Sequence, residues 1–331
     1  MRFSHFLSSQ QQRLSAFIFT MASSDDLPKT MKALLVKSRS EPLTVENIPT
    51  PQPTTGSAVV RVLSASVISY MRDIYNGVRP YPYPTPLVPG TSAVGRVVAV
   101  GPDATKLRPG DLVLVDCFIR SRDDPTDVFL AAIHEGFTKG SAQLMTIFKD
   151  WTYAEYCCSP LENLFRLDER RLLGSPHDGG LGFNIDQLAL TNTLAVPYGG
   201  LRDIELKAGQ TVVVAPATGP FGGAAVLVAQ AMGARVIAMG RNKDSLKFLR
   251  DRVPYPKRLE TVPITGDMQA DCSELKKHGE IDAYYDIGPP EAYNSTHIKS
   301  AILALKHGAR ISLMGGYREG KQCIALRKTD N

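Results

Sequence analysis

Among its 331 residues the chain has no apolar run of membrane-spanning length, no C-x-x-C pair and no basic stripe interleaved with aromatics. The first absence argues against a membrane protein, because a spanning helix needs about 20 consecutive apolar residues. The third, with a net charge of only +5, argues against nucleic acid as a partner. Cysteine is scarce. Cys117, Cys157, Cys158, Cys272 and Cys323 are odd in number and unpatterned, so no disulfide framework or zinc knuckle is indicated, and such usage points to a reducing compartment. Cys157 and Cys158 fall in a predicted strand, Tyr153 to Ser159, where adjacent side chains point to opposite faces; this makes them packing residues and not a redox pair. Internal repeats and low-complexity tracts are also lacking.

What is present describes an ordinary globular α/β protein with many turns, 43% hydrophobic with 23 prolines and 27 glycines. The length exceeds what one core usually serves, so two domains are expected. The most informative stretch runs from Gln210 to Asn242. It reads as a buried strand (Thr211 to Ala215), a Gly-rich turn, an apolar helix (Phe221 to Met232) and a second strand. That order seats the pyrophosphate of a dinucleotide on a helix N-terminus. Gly219 and Gly222 take the second and third glycine places of G-x-G-x-x-G, with Ala217 in the first; Pro220 and Phe221 complete the turn.

The end of the second strand bears on which dinucleotide. An NAD site carries Asp or Glu there, about 20 residues past the glycines, to accept from the ribose hydroxyls. Here the place is Gly240, followed by Arg241, Asn242 and Lys243. An acid would repel a 2′-phosphate, whereas a guanidinium holds it through paired charge-assisted hydrogen bonds, so NADP(H) is the expected cofactor. The competing reading is that Arg241 and Lys243 form a solvated charge run on a loop. Gly288 and Gly315 complete the expected cofactor-binding set.

Before this unit the chain is rich in strands and turns. Met31 to Lys37, Leu43 to Ile48, Ala58 to Val67, Ala93 to Val100 and Asp111 to Val115 are short, β-branched and separated by Pro or Gly, which indicates a β-barrel-like domain. Residues 116–150 read as a partly helical insertion. The expected division is a leader over 1–30, a first domain over 31–185, a nucleotide-binding domain over 186–319 and an atypical tail over 320–331. Met1 to Thr20 holds Arg2, Arg13, four serines and no acid, which suits a mitochondrial presequence; Met21 and Met31 suit later start sites equally well, and a cytoplasmic protein with a dispensable leader is the reading favoured.

Met31-Lys32-Ala33, Leu87-Val88-Pro89-Gly90, Val94 to Gly101, Arg108-Pro109-Gly110-Asp111, Ala154-Glu155-Tyr156 and the Gly219 turn stand in the order seen in medium-chain dehydrogenases/reductases, the alcohol dehydrogenase and quinone oxidoreductase superfamily. The chain resembles that family from about Met31 to Gly316. The resemblance implies an α/β protein with a GroES-like β-barrel catalytic domain, then a Rossmann doubly wound parallel sheet, and a small-molecule substrate in the cleft between them. A homodimer is compatible with it.

Departures from the family pattern shape the expected chemistry. Where zinc-dependent members carry a Cys this chain has Ser69, and where they carry a His-Glu pair after Pro-Gly it has Thr91-Ser92. Zinc in proteins takes thiolate, imidazole or carboxylate, not these hydroxyls. The four-Cys lobe is missing too, with Cys117 alone near its place, and His134-Glu135 reads as an exposed helical pair. A zinc-free member is therefore expected. Without a Lewis acid, simple alcohol–ketone exchange is disfavoured against reduction of an activated double bond or quinone, where one or two hydrogen-bond donors can hold the developing charge. Tyr70 and Tyr81 are the expected catalytic donors, with Asp73 and Asn76 near enough in sequence to orient them. Asn192, Thr193 and Tyr198 are candidates for bordering the nicotinamide, with capping and packing as the competing roles.

Other readings compete. Tyr317 to Lys321 fits the Y-x-x-x-K of short-chain dehydrogenases, but a whole β-rich domain precedes the glycine turn here, which rejects that family. A non-catalytic NADP(H)-binding redox sensor or scaffold, and a zinc-independent alcohol/ketone dehydrogenase, stay open. After Arg310 to Met314 a further strand and a returning segment are expected, so the sequence reads as C-terminally shortened.

Overall fold

The computed structural model describes residues 27–315 except 290, 291 and 293. Residues 1–26 and 316–331, which hold most of the expected leader, the expected tail and Cys323, lie outside the described residues. The chain divides into two compact units between Leu190 and Thr191. No helix among the described residues is long and apolar enough to cross a membrane.

The first unit contains β1 (Thr30–Leu35), β2 (Thr44–Pro49), β3 (Ser57–Ala65), α1 (Met71–Tyr75), β4 (Ala93–Val100), β5 (Leu112–Val115), β6 (Phe118–Arg120), β7 (Val128–Leu130), α2 (Lys139–Ile147), β8 (Tyr156–Pro160), β9 (Leu164–Arg166), α3 (Glu169–Leu173) and α4 (Ile185–Ala189). Its main sheet is antiparallel in the order β8-β3-β4-β5-β9, with β1-β2 and β6-β7 as separate two-stranded pairs. The β-branched runs supply its core, which closes around Trp151, Phe129, Met145, Ile74 and Leu87. Cys157 is buried in that core and Cys158, on the other face of β8, is half-buried; both thiols are free.

Three expectations shift here. The strand expected to reach Val67 ends at Ala65, because the Ser66 carbonyl accepts side-chain hydroxyls from Thr91 and Tyr153. His134-Glu135 is not a helical pair. The chain turns at Ala132 (φ 58°), His134 bridges back to Leu130, and the helix begins only at Lys139, where Thr138 and Ser141 form a capping box. Helix α4 lies past the expected border at 185 yet packs in the first unit, with Leu188 and Ala189 against Val94 and Leu112 and the Ser66 hydroxyl on the Ala189 carbonyl at 2.8 Å.

The second unit contains α5 (Thr191–Asp203), β10 (Thr211–Ala215), α6 (Pro220–Ala231), β11 (Arg235–Gly240), α7 (Lys243–Arg250), β12 (Leu259–Pro263), α8 (Met268–Lys276), β13 (Ala283–Asp286), α9 (His297–Ala304) and β14 (Arg310–Leu313). All strands are parallel, in the order β12-β11-β10-β13-β14. A parallel sheet covered on both faces has apolar strands throughout, and every residue of β10 is buried. Val212, Val214 and Tyr285 face a core shared with α6, while Val213, Ala215 and Tyr284 face one shared with α8 and α9. The architecture is thus a GroES-like domain with a doubly wound Rossmann sheet. Strand order reverses between β10 and β13, and ligands of such sheets bind in the crevice at the carboxyl ends flanking that point.

Candidate active site

The nucleotide half is assembled at the carboxyl end of β10. Gly222 lets α6 lie against the strand's exit: a Cβ there would meet the Pro216 carbonyl oxygen at 2.1 Å. Gly219 is the N-cap of α6, and no side chain caps the helix, so the backbone N–H groups of Phe221 and Gly222 face outward without intrahelical acceptors. Nothing lies within 4 Å of a Cβ built on Gly219, which leaves open space over the helix start. These features fit a pyrophosphate, held by backbone donors and the positive end of the helix. The Ala217 N–H donates to the Met239 carbonyl at 2.7 Å, tying the turn to the end of β11.

At that end Gly240 is buried, and a Cβ on it would press on Thr218 Cγ2 at 2.9 Å. The chain then leaves the sheet with no acid. Arg241 is exposed and makes no hydrogen bond or ion pair with a described residue. Asn242 caps α7, its side-chain oxygen accepting from the Ser245 N–H at 2.9 Å, so only its amide group is left for a ligand.

Across the reversal, β13 ends beside β10, with Asp286 in register with Ala215 and the Ile287 N–H on the Ala215 carbonyl at 3.2 Å. Asp286 is fully buried. It accepts from the Tyr284 hydroxyl at 3.1 Å and the Gly288 N–H at 3.3 Å, and lies 3.0 Å from Nε2 of buried His297. The Met314 N–H donates to the Asp286 carbonyl at 2.9 Å, which brings Gly315 to the same end of the sheet as Gly288. Asp286 and His297 were missed from the sequence; the available signal was an acid two places before Gly288 at a strand end.

The first unit treats its candidate metal corner differently. Thr91 and Ser92 are each 1% exposed. The Thr91 hydroxyl donates to the Ser66 carbonyl at 2.5 Å, the Tyr153 hydroxyl donates to the same oxygen at 2.8 Å, and Ser92 Oγ accepts from the Cys117 N–H at 3.2 Å. Desolvation pushes the buried Cys117 thiol up to about 11. Ser69 is exposed, and among the described residues no three His, Cys, Asp or Glu side chains converge on a point. By the chemistry of these donors a zinc ion does not fit this corner.

Tyr70 and Tyr81 stand nearby and pack on the same core. Tyr70 precedes α1, the Arg79 guanidinium lies 4.2 Å over its ring, and desolvation, reinforced by the neighbouring Tyr81, pushes its hydroxyl up to about 12. Tyr81 packs edge-on against His134 at 5.1 Å, and Arg39 holds its carbonyl at 2.9 Å. Burial lowers the His134 pKa, and its Nδ1 accepts from the Gly136 N–H at 3.0 Å. Neither tyrosine hydroxyl bonds to a described residue.

Two of the supporting residues expected from sequence make no bond to these tyrosine hydroxyls, and one lies far from the nucleotide turn. Asn76 turns its side-chain oxygen onto the Val78 N–H at 3.1 Å, and the Asp73 side chain bonds to neither tyrosine. Tyr198 lines an open depression of about 730 Å³ with Arg202, Lys207 and Met232, at the end of α6 opposite the Gly219 turn. An α-helix rises about 1.5 Å per residue, so the whole length of α6 separates it from the nucleotide turn. Asn192 and Thr193 are half-buried in the first turn of α5.

Residues 54–169 match the alcohol dehydrogenase GroES-like domain. An alcohol dehydrogenase of Rhizobium meliloti (strain 1021) is 30% identical over 222 residues, covering 66% of this chain and 59% of that protein. The acryloyl-coenzyme A reductase of Metallosphaera sedula is 26% identical over 220 residues, covering 66% of this chain and 61% of that enzyme. The chain therefore spans about three fifths of the length of these curated relatives. Among solved structures, a dehydrogenase of Sinorhizobium meliloti 1021, described as zinc-binding and bound to NADP, superposes with a TM-score of 0.69 at 19% identity, over 89% of this chain and 79% of that one. An alcohol dehydrogenase from E. coli CFT073 complexed with NADH gives a TM-score of 0.68 at 20% identity, over 90% and 80%.

Proposed function

Because the chain belongs to the medium-chain dehydrogenase/reductase superfamily, we propose that it is an NADPH-dependent oxidoreductase that reduces an activated double bond, quinone or conjugated carbonyl of a small molecule without zinc. The observation that carries the reading is the pairing of an uncapped α6 with an acid-free β11 end, where the exposed Arg241 bonds to no described residue. Backbone donors of Phe221 and Gly222 would hold the pyrophosphate, and Arg241 the 2′-phosphate. When bound, the nicotinamide supplies the hydride.

The protein's own contribution to the reaction is a donor for charge on the substrate. Hydride addition to a carbon activated by conjugation leaves negative charge on the carbonyl oxygen. The Tyr70 hydroxyl, pushed up to about 12, stays protonated through neutral pH and can donate to that oxygen, so Tyr70 takes the first role; Tyr81, packed on the same core, is the second candidate donor. The engaged hydroxyls of Thr91 and Ser92 support the zinc-free part, and the acryloyl-coenzyme A reductase among the relatives supports the activated double bond. The test is turnover of NADPH and of NADH with a panel of enones, an enoyl thioester and quinones. NADPH-dependent reduction is expected. Tight NADPH binding without turnover of any of them would favour the sensor reading instead.

A further inference from the structure

We propose that Asp286 and His297 are a positioning pair for the nicotinamide half of the bound dinucleotide, an inference that rests on the reading of the second unit as a dinucleotide site. The strand order places β11 on one side of β10 and β13 on the other. A dinucleotide seated on the Gly219 turn straddles the end of β10. Its 2′-phosphate half reaches the end of β11, at Gly240 to Asn242, so the nicotinamide half reaches the end of β13.

At that end the chain leaves the sheet through Ile287 and Gly288. The Gly288 N–H is held by Asp286 Oδ2 at 3.3 Å, and a Cβ on Gly288 would sit 3.4 Å from Asp286 Oδ1 and 3.6 Å from His297 Nε2. The turn therefore rests on the pair. Asp286 is 0% exposed and His297 1%, and they meet at 3.0 Å across β13 and the first residue of α9, which bracket the turn at both ends. A buried carboxylate is tolerated only where donors surround it, so its bonds fix the local backbone strongly.

His297 also carries a burden that packing alone does not require. With Nε2 directed at Asp286, Nδ1 is buried and has no partner among the described residues. An apolar side chain would fill the same space without that cost. The pair is explained if its work is to hold the Gly288 turn clear of the nicotinamide and its ribose.

Calorimetric titration of the full chain with NADPH and with 2′,5′-ADP, which carries only the adenosine half, separates positioning from general stability. His297→Leu should weaken NADPH at least 10-fold while leaving 2′,5′-ADP within twofold. His297→Gln, whose amide can replace Nε2 as donor, should recover most of the loss. Equal weakening of both ligands, or no change in either, overturns the proposal, as does failure of the Gln variant to recover. Hydrogen exchange on the wild-type chain decides the matter if the Leu variant does not fold. NADPH, and not 2′,5′-ADP, should slow exchange between Tyr284 and His297, and lack of that protection overturns the proposal. Tighter binding of NADH than of NADPH would remove the 2′-phosphate reading alone, and the same variants would then be compared with NADH and ADP. A wild-type chain that takes up neither dinucleotide overturns both.

Discussion

The corner around Thr91 in the first unit and the turn around Gly219 in the second are both places where the family pattern expects a ligand, and they are built in opposite ways. In the first, two of the three side chains at the vacated ligand positions, Thr91 and Ser92, are buried and engaged with the protein's own backbone, Thr91 beside Tyr153 on the Ser66 carbonyl and Ser92 on the Cys117 N–H, while Ser69 is exposed. In the second, capacity is left open: α6 has no side-chain cap, the space over Gly219 is free, and Arg241 has no partner among the described residues. Polar groups already bonded within the fold have little capacity left for a ligand, whereas solvent-exposed donors can exchange water for one. On the proposed reading the second unit receives the ligand, and the Thr91 corner is closed by its own hydroxyls.

The sharpest way to break this comparison in the first unit is Tyr70→Phe. Removing a donor to developing charge should lower kcat by about 100-fold and leave NADPH affinity unchanged, measured by steady-state kinetics beside calorimetry. Because desolvation holds the Tyr70 hydroxyl near 12, the ratio of wild-type to variant rates should stay level from pH 7 to 10. Unchanged turnover would remove Tyr70 from the reaction. The same shift has a stability counterpart. A phenol whose folded pKa lies above its unfolded value of about 10 contributes stability that is present below pH 10 and lost as pH rises toward 12. Tyr153, also held near 12 by burial, adds to this, so melting temperature should fall across that window.

In the second unit the expected effects are next in size. Gly222→Ala forces a methyl onto the Pro216 carbonyl, and overpacking of this kind costs about 1–3 kcal/mol, so both the melting midpoint in denaturant and NADPH affinity should drop. Arg241→Ala should narrow the preference for NADPH over NADH by about 1–3 kcal/mol with no loss of stability, since its exposed side chain bonds to no described residue. Equal affinities for the two cofactors in the wild-type chain would contradict the role given to Arg241.

The smallest effect tests the closed corner. Thr91→Val removes one buried hydroxyl and leaves the Ser66 carbonyl still bonded to Tyr153, so it should cost about 1 kcal/mol of stability in denaturant melts. A much larger loss of activity than of stability would show that this hydroxyl does more than close the corner.

How much of this was legible in the sequence follows the range of the interactions. Strand β10, the Gly219 turn and α6 are local features, written in a β-branched run and small residues, and they are legible to within a residue; for β11 the end at Gly240 is legible. Strand β4 was read to its ends because Gly101 and its own periodicity bound it. The Asp286–His297 pair was not legible, since it joins a strand end to a later helix and leaves no periodic trace. Likewise the Ser66 carbonyl, which ends β3 early, is claimed by hydroxyls from distant Thr91 and Tyr153. His134 was misread as helical because the Ala132 turn that folds it back has no glycine to announce it.

The central claim, reduction by a closed corner without metal, is tested most directly by one measurement. The chain is purified without chelator and its zinc is determined; the same sample is then dialysed against EDTA and assayed for NADPH-dependent reduction of an enone. The account predicts far less than one zinc per chain and an unchanged rate after dialysis. Stoichiometric zinc, or a rate lost to EDTA and restored by added zinc, would contradict it.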